Sequence, residues 1–246
     1  MGSVTHTDNG SSPAAEQAAR GRAADTSRGE QTRQAIVASA IRLFGEAGYE
    51  KTTMRAIAAD AGVSVGNAYY YFPAKEALVS EFYLELQREH LARVEPILRS
   101  GTSFGDRLAA MLREGIEVWA PHHAFAGRFI GIAAVPGSPV SPFSAESSEA
   151  RELATSIFHR LVDSTETKMD PQLRARLPQL LWLAQLGLVV YWVHDTTPGQ
   201  RRTRAVVDLA VPYLEYLVGA SRMKIFKPLT TRGLNLLDAL WPHAAG

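Results

Sequence analysis

The 246-residue sequence has no cysteine, which excludes disulfide staples, thiolate catalysis and cysteine-ligated zinc. It also lacks an excess of either charge: 26 basic residues against 25 acidic ones leave a net charge of +1. A chain so balanced draws in no polyanion as a whole, so nucleic-acid binding would need basic groups gathered on one face. No run shows two-residue alternation bounded by hairpin turns, which argues against a sheet. His-Glu-x-x-His spacing, a glycine-rich phosphate loop and an internal repeat are all missing, and nothing points to a metal or a cofactor. Residues 1–27 have no apolar core of the kind a secretory leader needs. The most apolar stretch, residues 177–193, contains Pro178, Gln179, Gln185 and Gly187 and falls short of the ~20 apolar residues of a membrane span. It reads as a buried interface helix, and the whole as a cytoplasmic protein without a membrane partner.

Hydrophobic residues make up 46% of the chain, enough for a sizeable core. Residues 1–28 read as a disordered tail whose Arg20, Arg22 and Arg28 are offset by Asp8, Glu16 and Asp25. From Gln31 the pattern becomes helical: Ile36, Ala40, Leu43 and Phe44 form one apolar stripe. Gly45 and Gly48 are expected to close that helix. Thr52 or Thr53 caps a second helix, Gly62 makes a tight turn, and Ser64 caps a third that ends before Phe72-Pro73. A long helix then starts near Ala74 and runs to Pro96 or Ser100. Further helices are expected at about 104–120, 123–134, 145–166, 171–195, 200–220 and 230–241, separated by Gly and Pro clusters.

The fold class is therefore all-α. A three-helix helix-turn-helix domain (29–76) precedes a larger helical domain (77–246).

Residues 52–78 carry the functional signal. Two short helices joined by a Gly-containing turn make a helix-turn-helix. Ala58, Ala61 and Val63 are small or apolar where the helices must approach. The third helix is left with Ser64, Val65, Gly66, Asn67, Tyr69 and Tyr70 on its outer side, within reach of base edges in a major groove. Tyrosine hydroxyls there suit phosphate, and the rings suit sugar or a thymine methyl. The helix start at Thr52 and Thr53 offers amides to phosphate, and Lys75 adds a cation beside the same strand.

The segment resembles the DNA-binding domain of the TetR/AcrR repressor family, whose layout is T-T-x-x-x-I-A-x-x-A-G-V-S, then Y-x-[YH]-F, then K-E-x-L. The likeness covers residues 33–79. It implies DNA contacts by Thr53, Ser64, Val65, Gly66, Asn67, Tyr69, Tyr70 and Lys75. Val65 stands where the family often has Lys, so a thymine methyl replaces a hydrogen bond there. Phe72 matches the family's buried anchor. From Arg28 to Glu76, six basic and five acidic residues give only +1, so two copies on a palindromic operator, ~34–36 Å apart, are needed for useful affinity.

Residues 171–195 and 200–220 are apolar on more than one face, which calls for burial against a second copy. The resemblance implies the same pair as a homodimer interface, and a hydrophobic or amphipathic small-molecule effector in this domain. Trp119, His123, Phe125, Phe129, Trp182, Gln185 and Trp192 are the candidate lining. An all-helical enzyme or metabolite-binding protein, and an activator instead of a repressor, are the readings left open.

Overall fold

The computed structural model describes residues 13–223, with side chains from Arg28 onward. The expected helix at 230–241 lies outside the described residues. Among the described residues, nine α-helices follow in order: α1 Pro13–Ala47, α2 Met54–Asp60, α3 Val65–Tyr71, α4 Lys75–Leu98, α5 Phe104–Trp119, α6 His123–Ala133, α7 Ser148–Asp163, α8 Pro171–His194 and α9 Arg201–Ala220. Single 3-10 turns at Ala120–His122 and Pro198–Gln200 join α5 to α6 and α8 to α9, and no strand occurs among the described residues.

Two expectations at the N-terminal end are corrected. Residues 13–28, expected to be disordered, are the first turns of α1. Six alanines between Ala14 and Ala24 supply the helix propensity that a reading by charge alone overlooks. Gly45, expected to close α1, lies inside it; its missing side chain lets the Phe125 backbone of α6 come within 3.5 Å of where a Cβ would sit. Gly48 ends the helix, with φ +90°. The Arg128 guanidinium then donates to the exposed Glu46 carbonyl at 3.0 Å.

Short helices α2 and α3 hold because each is capped. The Thr53 hydroxyl accepts from the Ala56 amide at 3.2 Å, and the Ser64 hydroxyl from the Asn67 amide at 3.1 Å. Gly62 takes φ +68° between them, and Ala58 and Ala68 are fully buried where the helices meet. Phe72 plugs the base of this unit, with the Arg33 guanidinium 4.7 Å above its ring.

The core of the first three helices does not stop at residue 76. Ile36, Phe44, Ile57 and Phe72 share one apolar cluster with Leu78 and Phe82 of α4 and with Phe125 and Phe129 of α6. A second cluster joins the end of α4 to α5, α7, α8 and α9. Here α4 packs on α5 and α7, α7 on α8, and α5 on α9. Among the described residues, α8 is the one helix long and apolar enough to cross a membrane. Its Leu177, Leu181, Trp182 and Trp192 are instead buried in the second cluster.

Where α1 meets α4, Arg33 pairs with Glu81. Burial and the nearby Glu81 carboxylate push Glu85 up to about 7, from an ordinary 4.5. Between those values the folded chain keeps a proton that the unfolded chain has released. Stability therefore falls as pH rises through that window and is level above it. Glu85→Gln should raise Tm at pH 8 by the equivalent of about 1 kcal/mol, allowing for solvent screening, and change it little at pH 4. Thermal melts at both pH values check this; an equal gain at both would contradict it.

Candidate functional site

Helix α3 lies on the surface with one face turned out. Ala68 is buried and Val65 half-buried, while Ser64, Gly66 and Asn67 are exposed. Tyr69 is 50% and Tyr70 82% exposed. Tyr70 meets Tyr71 edge-on, with ring centroids 5.3 Å apart. This seven-residue helix and its Ser64 cap thus present two aromatic rings, a carboxamide and a hydroxyl to solvent. No ion pair among the described residues engages Lys51 or Arg55, both exposed close by. Arg42, by contrast, is neutralised by Glu46 and Asp60.

Two of the sequence candidates sit differently from expectation. Thr52, expected to offer itself to a phosphate, is 3% exposed; its hydroxyl donates to the Gly48 carbonyl at 2.8 Å and pins the α1–α2 corner. Only Thr53 of the pair faces out. Lys75, expected to be a mobile cation, donates to the Tyr49 carbonyl at 2.8 Å and lies 4.3 Å from the centroid of the Tyr49 ring. Two of its three N–H donors remain. The Tyr49 hydroxyl in turn donates to Glu76 at 2.8 Å, and burial together with that carboxylate holds the phenol above its ordinary range.

A cavity of about 380 Å³ opens between α4, α6, α7 and α8. Of the expected lining, Trp119, Phe125, Phe129 and Trp182 are on its wall. His123, Gln185 and Trp192 are not. Trp192 is 1% exposed and stacks edge-on against His123, with centroids 4.6 Å apart. Gln185 fills the space left by Gly115, where a Cβ would come within 2.4 Å of its Nε2. The three stand behind the wall, in the second core cluster or at its edge. Helical spacing places a residue on a helix but leaves open which neighbour that face meets.

Sequence reasoning missed Tyr83, Gln87, Phe143 and Arg151, which also line the cavity. The signal was the small residues: Ala126, Ala133, Ala150, Ala154 and Gly187 line it too, where close-packed helices would carry larger side chains.

Known proteins resemble this chain in sequence and fold. Residues 36–82 match the bacterial regulatory proteins of the tetR family, and residues 107–231 the tetracyclin repressor-like C-terminal domain. The HTH-type transcriptional repressor KstR of Rhodococcus jostii (strain RHA1) is 29% identical over 186 residues, 73% of this chain and 82% of that protein. The HTH-type transcriptional regulator UidR of Escherichia coli (strain K12) is 34% identical over 100 residues, 40% of this chain and 47% of UidR, so the match spans under half of UidR. In solved structures, the TetR transcriptional regulator from Nitrosomonas europaea has a TM-score of 0.58 at 16% identity, over 75% of this chain and 98% of that one. FadR from Bacillus subtilis, in complex with stearoyl-CoA, has a TM-score of 0.57 at 18% identity, over 72% and 97%. At such identities the structural likeness is one of fold. With a family match over half its length and an outward helix-turn-helix, the chain belongs to the TetR family of bacterial transcription regulators.

Proposed function

We propose that the chain is a ligand-responsive repressor that holds a palindromic operator as a homodimer and releases it when a hydrophobic or amphipathic molecule fills the cavity. The observation that carries this reading is the outward face of α3, with Tyr70 82% exposed beside Asn67 and Tyr69. Thr53, Ser64, Val65, Gly66, Asn67, Tyr69, Tyr70 and Lys75 form the DNA-contacting set. Asn67 reads base edges, Val65 meets a thymine methyl, and the tyrosines and Lys75 bond phosphate.

Helices α8 and α9 supply the second copy's contact. Val206, Leu209, Tyr213, Tyr216 and Leu217 recur at three- and four-residue steps along α9 and are exposed, as are Val190 and Tyr191 on α8. Such a stripe is buried when a two-fold axis brings it against itself.

The path from cavity to DNA is short. Phe125 and Phe129 line the cavity, and behind them Phe125 faces Phe44 at 6.5 Å and Phe129 faces Tyr49 at 5.6 Å between ring centroids. Tyr49 holds Lys75 and Glu76 at the start of α4. An effector that selects a displaced α6 thereby shifts α1 and α4 together and spreads the two recognition helices. This fits KstR's name as a repressor, and FadR's stearoyl-CoA is an amphipathic ligand held by a protein of this fold.

Anisotropy titrations on labelled duplexes from the DNA beside its own gene test the reading. One duplex should bind far more tightly than the rest, with affinity falling steeply as salt rises. Equal, weak binding to every duplex would count against it.

A further inference from the structure

We infer that the cavity takes an amphipathic molecule with an anionic head, a carboxylate on an aliphatic chain, gripped by Arg151. This rests on the effector reading above and assigns the ligand's charge.

Arg151 is the one charged side chain among the described residues lining the cavity; no Asp, Glu, Lys or His shares the wall. Many of the other arginines meet acids: Arg33, Arg42, Arg93, Arg113, Arg160 and Arg204 each pair with a carboxylate. Arg151 has no such partner among the described residues. Its Nη1 donates to two backbone carbonyls, Pro142 at 2.8 Å and Ser144 at 2.9 Å, and the side chain is half-buried. Arg107, Arg128 and Arg174 also bond carbonyls, yet Arg151 alone of these lines the cavity. A guanidinium carries five N–H donors in a flat fork that fits a carboxylate edge-on, and only one nitrogen of this fork is spent on the loop. A cation drawn half out of water beside an apolar space is stabilised by a counter-ion that arrives with the ligand.

Across the cavity on α4, Gln87 lines the same wall, and its buried Oε1 has no hydrogen-bond partner. Turned over, that amide presents N–H groups to an anion. The polar end of the ligand thus sits between α4 and α7, while the apolar body lies against Phe125 and Phe129 of α6 and Leu186 and Val189 of α8. Because Arg151 also clamps Pro142 and Ser144, the head group is linked to the loop that supplies Pro142 and Phe143 to the cavity wall.

Isothermal titration of the full chain with straight-chain acids from octanoate to palmitate, and with the matching alcohols, tests this. An acid should bind at least about tenfold more tightly than its alcohol. Arg151→Met should weaken the acid about tenfold or more and leave the alcohol within about twofold, since charge-assisted bonds are lost and the apolar walls stay. Should Arg151→Met lose both ligands because the loop opens, Arg151→Lys decides: a kept acid preference supports the assignment and a lost one overturns it. Alcohols binding as tightly as acids, acid binding that ignores Arg151→Met, or no binding of any acid would also overturn it. The effector reading is scored separately on operator release. Acids that bind without releasing DNA sink that reading alone, and alcohols that match the acids and release DNA sink only the charge assignment.

Discussion

Replacing Tyr69 and Tyr70 together by alanine is expected to weaken operator binding about 30- to 1,000-fold while the protein stays folded. In the proposed complex the hydroxyl and ring of each tyrosine meet backbone or base on the duplex, and the dimer carries both residues twice. A loss of about 1–2 kcal/mol per copy therefore becomes about 2–4 kcal/mol for the complex. In the free protein these side chains face solvent, half exposed at Tyr69 and more so at Tyr70, so truncation should cost the fold no more than about 0.5 kcal/mol per site. Lys75→Ala is a poorer probe. Its ammonium holds the Tyr49 carbonyl and ring, so the substitution loosens the corner between α1 and α4 as well as removing the proposed phosphate contact. Anisotropy on a bound duplex, with a melting curve alongside, separates the two effects. Unchanged affinity in the double alanine variant would remove α3 from the DNA interface.

Charging the exposed stripe of α9 should have the second large effect. Leu209 and Tyr213 are 68% and 72% exposed in one protomer, so Leu209→Glu with Tyr213→Glu changes solvated positions and costs little folding stability. In the proposed dimer the same substitutions bury four carboxylates around the two-fold axis in place of four apolar groups, each of the latter worth about 1.5–3 kcal/mol when covered. The dimer dissociation constant is then expected to rise by at least about 1,000-fold. Sedimentation velocity at micromolar concentration should find a monomer, and operator binding should drop to the weak level of a single helix-turn-helix. A variant that still sediments as a dimer would move the interface off α9. One that stays monomeric yet binds the operator normally would dissociate pairing from DNA recognition.

The parts of this molecule that were legible in its sequence are those governed by neighbours along the chain. Ser64 and Thr53 announce helix starts because a hydroxyl two or three residues ahead of a free amide is a local arrangement. Gly62 announces a turn because only its own dihedral is at stake. The helix-turn-helix pattern is built from such terms, and its length, caps and outward tyrosines were readable one residue at a time.

The sensing domain depends on contacts between residues far apart in sequence, and there the pattern was silent. Trp192 and Trp182 sit on the same helix with similar flanks, yet one lies behind the wall against His123 and the other lines the cavity. Gln185 looked like a polar group aimed at a ligand, but Gly115 on a different helix leaves the gap it fills. Arg151 drew no notice because its meaning lies in what is missing around it, a carboxylate, and that is visible only once α4, α7 and the 134–147 loop are assembled. Thr52 and Thr53 are adjacent and chemically alike; the α1–α2 corner buries the first and exposes the second. The N-terminal turns of α1 were missed for the opposite reason, since scattered charge was weighed above a run of alanines.

Selection of bound duplexes from a random-sequence library tests the central claim most directly, because it presumes no operator and no effector. If paired α3 helices read successive major grooves, the enriched sequences will converge on an inverted repeat whose half-sites lie about one DNA turn, ~34–36 Å, or a multiple of it apart. Enrichment of a single unrepeated half-site, or no enrichment at all, would contradict the account.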